Sequence, residues 1–393
     1  MRALNRRSFL GAACAGGLAT TFAPSLSFAQ ASTDRRFVFV LLRGAMDGLH
    51  SVVPVGDPAY RDARGSLAYE PNDLTRLDGL FGLAPGLSPL AASYRSGELL
   101  PVQGLAIPYR TRSHFDAQSI LETGLDQPVG SASGWLNRTL EVLGGTSGQG
   151  IAVGGPLPLS MQGRIPVATW APSALRSGNE AFIDDLSQLY NLDPVLADPF
   201  TAALTLQEQA MALAGGSSKR GLAQFEQLFA ATGRFLNAPD GARIAALEFS
   251  GWDTHARQGL ANGTLDRRLN ALATGLLALK AEFSADAWSK TVVVVATEFG
   301  RTVATNGSGG TDHGNGGAAL LFGGAVRGRR VLADWPGLAT RQLYEGRDLR
   351  PTLDTRQMLK GVLAAQFDLR AAELDRLVFP DSQSIPALGG LVA

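Results

Sequence analysis

The chain has 393 residues, 45% of them hydrophobic and 18% charged, and its 35 basic and 35 acidic side chains cancel. That length supplies one large core or two smaller ones. No segment is basic enough to serve as a nucleic-acid footprint.

The first element is a leader. "NRRSFLGAACAGGLATTFAPSLSFAQA" pairs Arg6 with Arg7, continues through an apolar stretch and ends in Ala29-Gln30-Ala31. This is the pattern of a twin-arginine signal with cleavage before Ser32. Glycines and Pro24 interrupt the apolar stretch, and it is too short to span a bilayer. Residues 1–31 therefore read as a removable signal. The twin-arginine translocase is the transient partner, the destination is periplasmic or secreted, and no permanent membrane span follows. Losing Arg2, Arg6 and Arg7 takes the net charge from zero to about −3. Cys14, the single cysteine, goes with the signal. The mature chain then has no disulfide or thiolate chemistry, and any metal must be held by His, Asp and Glu.

The mature chain, 32–393, opens on a continuous apolar run, Phe37–Leu42. Such runs fit strands covered on both faces. Similar runs begin at Leu99, Arg243, Thr291 and Ala318. Helical patterns lie between them. "HFDAQSILETG" reads as a helix with Ser113 at its N-cap, Asp116 three residues on and Gly124 past its end. Residues 173–235 read as a mostly helical insertion. Leu265, Leu269, Leu272, Leu276, Leu279 and Phe283 make one helical face. The pattern predicts a single α/β domain built on an open, mostly parallel sheet with helices on both faces.

Ligands of such sheets gather beyond the carboxyl ends of the strands. After the first strand come Asp47 and His50, after the second Arg110, Arg112, Ser113 and His114. After the run from Arg243 come Asp253 and His255. After the valine run come Glu298 and Arg301, then Asp312 and His313 in the glycine-rich "NGSGGTDHGNGG". Each has an ordinary explanation. Asp-Gly is a turn signal, Ser-His a helix start, and Glu298 and Arg301 are spaced to pair. Together they place all four histidines of the chain near one sheet edge. Imidazole mixed with carboxylate suits zinc, manganese, magnesium or calcium. Glycine lets backbone approach an ion and turn tightly, and arginine can hold a phosphate- or sulfate-like group.

The blocks "LLRGAMDGLHSVVPVGDPAY", "RSHFDAQSILETG", "GWDTHARQ" and "TEFGRT…NGSGGTDHGNGG" resemble the domain of unknown function 1501 family of twin-arginine-exported bacterial proteins. The order of blocks is more remotely similar to the alkaline phosphatase superfamily, which includes phosphatases and sulfatases. That resemblance implies an alkaline-phosphatase-like fold. It makes Asp47, Asp253, His255, Glu298 and His313 metal ligands, with Asp312 and His114 behind them, and Ser113 a nucleophile at a helix N-terminus. Three departures stand out. Asp253-x-His255 is closer spaced than in the phosphatases, Phe299 follows Glu298 where a histidine is usual, and the sulfatase Cys/Ser-x-Pro-x-Arg signature is absent. These imply a degenerate or single-metal site.

Two readings follow. In the first, the protein is an exported, metal-dependent hydrolase of phosphate or sulfate esters acting on an anionic small molecule or glycan. A divalent ion, Ser113, His114, Arg112 and Arg301 then form its catalytic set. In the second, it is a non-catalytic periplasmic binding or scaffold protein that retains the fold. An oxidoreductase is disfavoured, since no G-x-G-x-x-G follows the first strand. The leader makes a direct prediction. Changing Arg6 and Arg7 together to Lys is expected to block export, while the wild-type mature protein begins near Ser32. Cell fractionation and N-terminal sequencing check this, and normal periplasmic accumulation of the double variant contradicts it.

Overall fold

In the strand Arg36–Arg43 (β1), successive side chains point to opposite sides. Phe37, Phe39 and Leu41 enter one hydrophobic core, and Val38, Val40 and Leu42 enter a second. All six are essentially solvent-free, which is why the run is continuous rather than alternating. The valine run behaves identically: Val292 and Val294 face one core, Val293 and Val295 the other. The computed structural model describes residues 33–128, 133–145, 148–172, 180–190, 192–193, 197 and 219–393. The expected signal at 1–31 lies outside these residues, as does much of the expected insertion at 173–235. Of that insertion, helices Glu180–Tyr190 and Ala223–Asn237 are described.

The sheet strands that follow β1 are β2 (Leu99–Ala106), β3 (Gly150–Val153), β4 (Ala168–Trp170), β5 (Ile244–Ser250), β6 (Thr291–Ala296), β7 (Gly317–Phe322) and β8 (Leu353–Asp354). They form one sheet in the order β8-β2-β7-β6-β1-β5-β3-β4. β6, β1, β5, β3 and β4 are mutually parallel. β7 is antiparallel to both of its neighbours, β2 and β6, and β8 is parallel to β2. β7 alone is therefore reversed, and the sheet is open and mostly parallel.

Helices cover both faces. α1 (His114–Thr123), α2 (Trp135–Val142) and α5 (Thr355–Phe367) pack on the Phe37 side. α3 (Ala223–Asn237) and α4 (Thr264–Ala281) pack on the Val38 side. The leucine face of α4 is fully buried from Leu265 to Leu279, while Phe283 falls beyond the helix end. Among the described residues no helix is long and apolar enough to cross a membrane.

This topology sets up the site. The carboxyl ends of β6, β1 and β5 lie side by side at one edge, so Glu298, Gly44 and Asp253 emerge next to one another. β2 also ends there, and the chain then enters α1 at His114. Because β7 is reversed, its first residue, Gly317, lies at the same edge. The loop before it must therefore return His313 to the place where Glu298 left the sheet.

Candidate metal centre

Glu298 is fully buried just past β6. Its Oε1 accepts from the Gly44 N–H at 2.8 Å and the Gln118 amide at 2.9 Å, and lies 2.7 Å from His114 Nδ1. Burial pushes this carboxyl up, but His114, Gln118 and backbone donors outweigh it and hold it below its ordinary value. An ionised carboxylate accepts only, so the ring proton of neutral His114 sits on Nδ1. Nε2 then presents a lone pair.

The other two imidazoles are also held through Nδ1. His313 Nδ1 lies 3.1 Å from the Arg112 carbonyl oxygen, which can only accept. His255 Nδ1 lies 3.1 Å from Asp312 Oδ1. His255 lies between two carboxylates, Asp312 at Nδ1 and Asp253 at Nε2, and either nitrogen can carry its hydrogen. The His313 ring carries its hydrogen on Nδ1 and turns a bare Nε2 inward. There, His313 Nε2 is 3.0 Å from His114 Nε2 and 2.9 Å from His255 Nε2. Asp253 Oδ1 is 2.9 Å from His255 Nε2 and 3.3 Å from His313 Nε2, and Oδ2 is 3.5 Å from His114 Nε2. Ligand atoms of His114, Asp253 and His313 all lie within 4.8 Å of one another. Three Nε2 atoms and one carboxylate thus converge, and the ring hydrogens of His114 and His313 are committed outward. An imidazole bonded through its far nitrogen to a carboxylate or carbonyl is the usual outer shell of a metal ligand, so the cluster could hold a cation.

The surrounding charges hold the cluster in place. Arg301, 1% exposed, donates from Nη1 to Asp253 Oδ1 at 2.5 Å, and its other donors go to the Thr311 hydroxyl and carbonyl. Burial pushes Asp253 up, but Arg301 and then the histidines bring it below the ordinary carboxylate value. Glu298 is the main reason His114 is raised. Burial, and then His114, lower His313. The Asn306 amide, followed by His255, lowers Asp312. The loop glycines serve close approach more than positive φ, which among Gly307–Gly317 occurs at Gly309 alone. A Cβ on Gly300 would sit 1.8 Å from the Gly316 oxygen, and one on Gly310 would sit 2.4 Å from the His255 carbonyl carbon.

Of the residues singled out in the sequence, His114, Asp253, His255 and His313 meet. Glu298, Asp312 and Arg301 stand one layer behind them, orienting rather than facing the centre. Asp47 stands apart. Gly44 and Ala45 both have positive φ, 118° and 60°, and this turn presents the Gly44 N–H to Glu298 while Asp47 is carried inward. Its Oδ1 caps the short helix Gly48–Ser51, and its Oδ2 takes Arg64 at 2.6 Å and Gln258 at 2.9 Å. His50, expected at the same edge, is buried against the Tyr69 hydroxyl at 2.8 Å, and burial lowers its pKa to about 4. Three histidines converge, not four. Ser113 starts α1, but its hydroxyl makes no capping bond and lies by Tyr109, whose own hydroxyl donates to Asp116. The Arg112 guanidinium is spent on Glu345 and Asp348; its contribution is the carbonyl that orients His313. Gln118 was missed, although it follows His114 by four residues, the spacing that puts two side chains on one helical face.

The chain belongs to the DUF1501 family of proteins of unknown function, whose sequence model matches residues 92–378. No curated protein matches it. Among solved structures it is similar to Ps i-CgsB in complex with k-i-k-neocarrahexaose, at 10% identity and TM-score 0.43 over 90% of this chain and 75% of that one. It is also similar to the C-terminal periplasmic domain of EptC from Escherichia coli in complex with Zn, at 11% identity and TM-score 0.34 over 75% of each chain. A third likeness is to an alkaline phosphatase superfamily protein from Vibrio parahaemolyticus, at 12% identity and TM-score 0.33 over 85% of this chain and 72% of that one.

The geometry makes a prediction for the metal-free protein. Replacing Glu298 with the neutral Gln is expected to bring the His114 titration midpoint down, since the carboxylate is the main cause of its elevation. NMR titration of the imidazole protons reads this directly. An unchanged midpoint would mean that Glu298 does not set the charge state of the cluster.

Proposed function

We propose that this DUF1501 protein holds one divalent transition-metal ion through His114, His255, His313 and Asp253 and uses it to hydrolyse a phosphate or sulfate ester. The observation that carries the reading is the convergence of three Nε2 atoms and one carboxylate, each residue backed by a dedicated partner. Three nitrogens and one oxygen suit zinc or manganese better than magnesium or calcium, which prefer all-oxygen shells. Bound there, the ion supplies a Lewis acid that offsets charge on the transferring group. Glu298, Asp312 and the Arg112 carbonyl fix the three rings, and Arg301 fixes Asp253. His255 and Asp253 remain 43% and 39% exposed in their side chains, so a ligand can reach the centre from that side. Export by the twin-arginine route would put the activity outside the cytoplasm.

Arg112 and Arg301 are engaged in ion pairs, and Arg268 is the arginine we assign to an acidic substrate group. Its guanidinium lies over Gly251, where a Cβ would be 2.6 Å away, and donates at 3.3 Å to the Ser250 carbonyl. Its Nε is shut off from solvent without an acceptor. Burial and then Arg267 lower its pKa, and no carboxylate offsets them. Gly251 precedes Asp253 by two residues, at most about 7 Å of chain.

One observation favours the non-catalytic reading. The four protein ligands proposed here would fill a four-coordinate site, as in structural sites, whereas catalytic sites keep a position open. Turnover of p-nitrophenyl phosphate and p-nitrophenyl sulfate by zinc- or manganese-loaded protein separates the two. The hydrolase reading expects Asp253→Ala and His313→Ala to lose roughly 100-fold or more, and Arg268→Ala to raise KM about tenfold. Wild type no faster than Asp253→Ala on either ester would leave a metal-binding protein without catalysis. Metal affinity should fall as pH drops, since protons compete for the inward nitrogens. His114 is raised, so the fall begins at higher pH than for an ordinary histidine. Competition titration from about pH 8 to about pH 6 checks this, and a flat profile contradicts it.

A further inference from the structure

The two loops that deliver the cluster meet at one buried side chain outside it. Gln258 is 0% exposed. Its Oε1 accepts from the Thr254 hydroxyl at 2.8 Å and from the Thr311 hydroxyl at 3.1 Å. Thr254 lies between Asp253 and His255, and Thr311 lies two residues before His313. Its Nε2 donates to Asp47 Oδ2 at 2.9 Å, and that oxygen also takes Arg64 at 2.6 Å. Arg64, likewise 0% exposed, donates onward to the carbonyls of Val303 at 3.0 Å and Thr302 at 3.3 Å. The Thr311 hydroxyl in turn accepts from Arg301 Nε at 3.2 Å, the same guanidinium that grips Asp253.

We infer that Gln258, anchored by the Asp47–Arg64 pair, is a positioning residue that sets the spacing of His255 and Asp253 against His313. The chemistry fixes its orientation. Asp47 is ionised, its carboxyl held below the ordinary value because Arg64 and other partners outweigh the effect of burial. An ionised carboxylate can only accept, so the amide nitrogen must face it and the amide oxygen must face the two threonines. Each hydroxyl has one hydrogen, and both are directed at that oxygen. The two ligand-bearing loops are thereby tied to a common point deep in the fold. This accounts for the acidic residue after β1: Asp47 acts on the metal centre through Gln258, not as a ligand. The inference rests on the proposed metal centre. It adds that ligand spacing is set by the threonine hydroxyls, beyond the backbone bonds that also join the loops.

The test removes those hydroxyls without changing side-chain shape. Thr254→Val combined with Thr311→Val leaves Gln258 in place but takes both donors from it. Thr254→Ser combined with Thr311→Ser keeps the hydroxyls. The valine pair is expected to bind zinc about tenfold more weakly and to alter the visible absorption bands of the cobalt-substituted protein. The serine pair should match wild type in both. In metal-free protein, hydrogen exchange over residues 310–313 should speed up in the valine pair and not in the serine pair. If the valine pair keeps wild-type zinc affinity, cobalt spectrum and exchange, Gln258 does not position the cluster and the inference fails. If wild type itself binds neither metal, the metal centre fails, whatever the exchange data show. Gln258→Leu supplies a second variant with the threonines intact. It should reproduce the valine pair's loss, and wild-type affinity in that variant would also overturn the inference.

Discussion

Ligand atoms of His114, Asp253 and His313 lie within 4.8 Å of one another, and His255 Nε2 lies 2.9 Å from His313 Nε2; electron pairs packed so closely repel unless something positive lies among them. Most of the polar structure at this edge of the sheet serves to keep them there. The His114 and His313 rings are denied the choice of turning an N–H inward, because Glu298 and the Arg112 carbonyl claim their Nδ1 hydrogens, and Asp312 holds His255 by the same nitrogen. Asp253 is denied neutrality by Arg301, which is nearly solvent-free. A buried guanidinium without a carboxylate would be costly, so Arg301 and Asp253 require each other, and both require the Thr311 segment that accepts the remaining guanidinium donors. The cluster is therefore preorganised by its own partners.

The backbone makes that preorganisation possible. Three parallel strands deliver Glu298, Gly44 and Asp253 to neighbouring positions, and the reversal of β7 brings the loop home at Gly317. The loop is held by contacts too close for any side chain, at Gly300 against Gly316 and at Gly310 against His255. It is fixed further by pairing of Arg301 with His313 and of Ala256 with Gly309. Its glycines thus serve packing density. The buried ion pair beneath, Asp47 with Arg64, is worth little as a stabilising contact in itself. Its value is directional, since it sets which way Gln258 points.

The sheet was legible because two-sided burial forces continuous apolar runs, and Phe37–Leu42 and Thr291–Ala296 show them plainly. Strand direction was not, because an apolar run reads the same either way, and nothing in Ala318–Phe322 announces an antiparallel neighbour. Within the site, His255, His313 and Asp253 were legible as polar groups following strands. Asp47 and His50 satisfied the same criterion and were misplaced. What excludes them is partners remote in sequence: Gln258 lies 211 residues from Asp47, and His50 is closed in by Tyr69. Arg112 and Arg301 had the right chemistry for an anion, but their acids, Asp348 and Asp253, are found only once the loops fold together. His114, ranked behind other ligands in the sequence, sits at the centre because α1 begins where β2 delivers it, facing Glu298.

The central claim is that His114, His255, His313 and Asp253 share one metal ion. Crystals of the full mature protein, grown with zinc and without chelator, should show one anomalous scattering peak at the zinc edge. That peak should lie among the three Nε2 atoms and the Asp253 carboxylate, at about 2.0–2.2 Å from each. The account is contradicted if zinc-saturated crystals show no peak there, or place it on Asp312 or Asp47 with the three Nε2 atoms still uncoordinated.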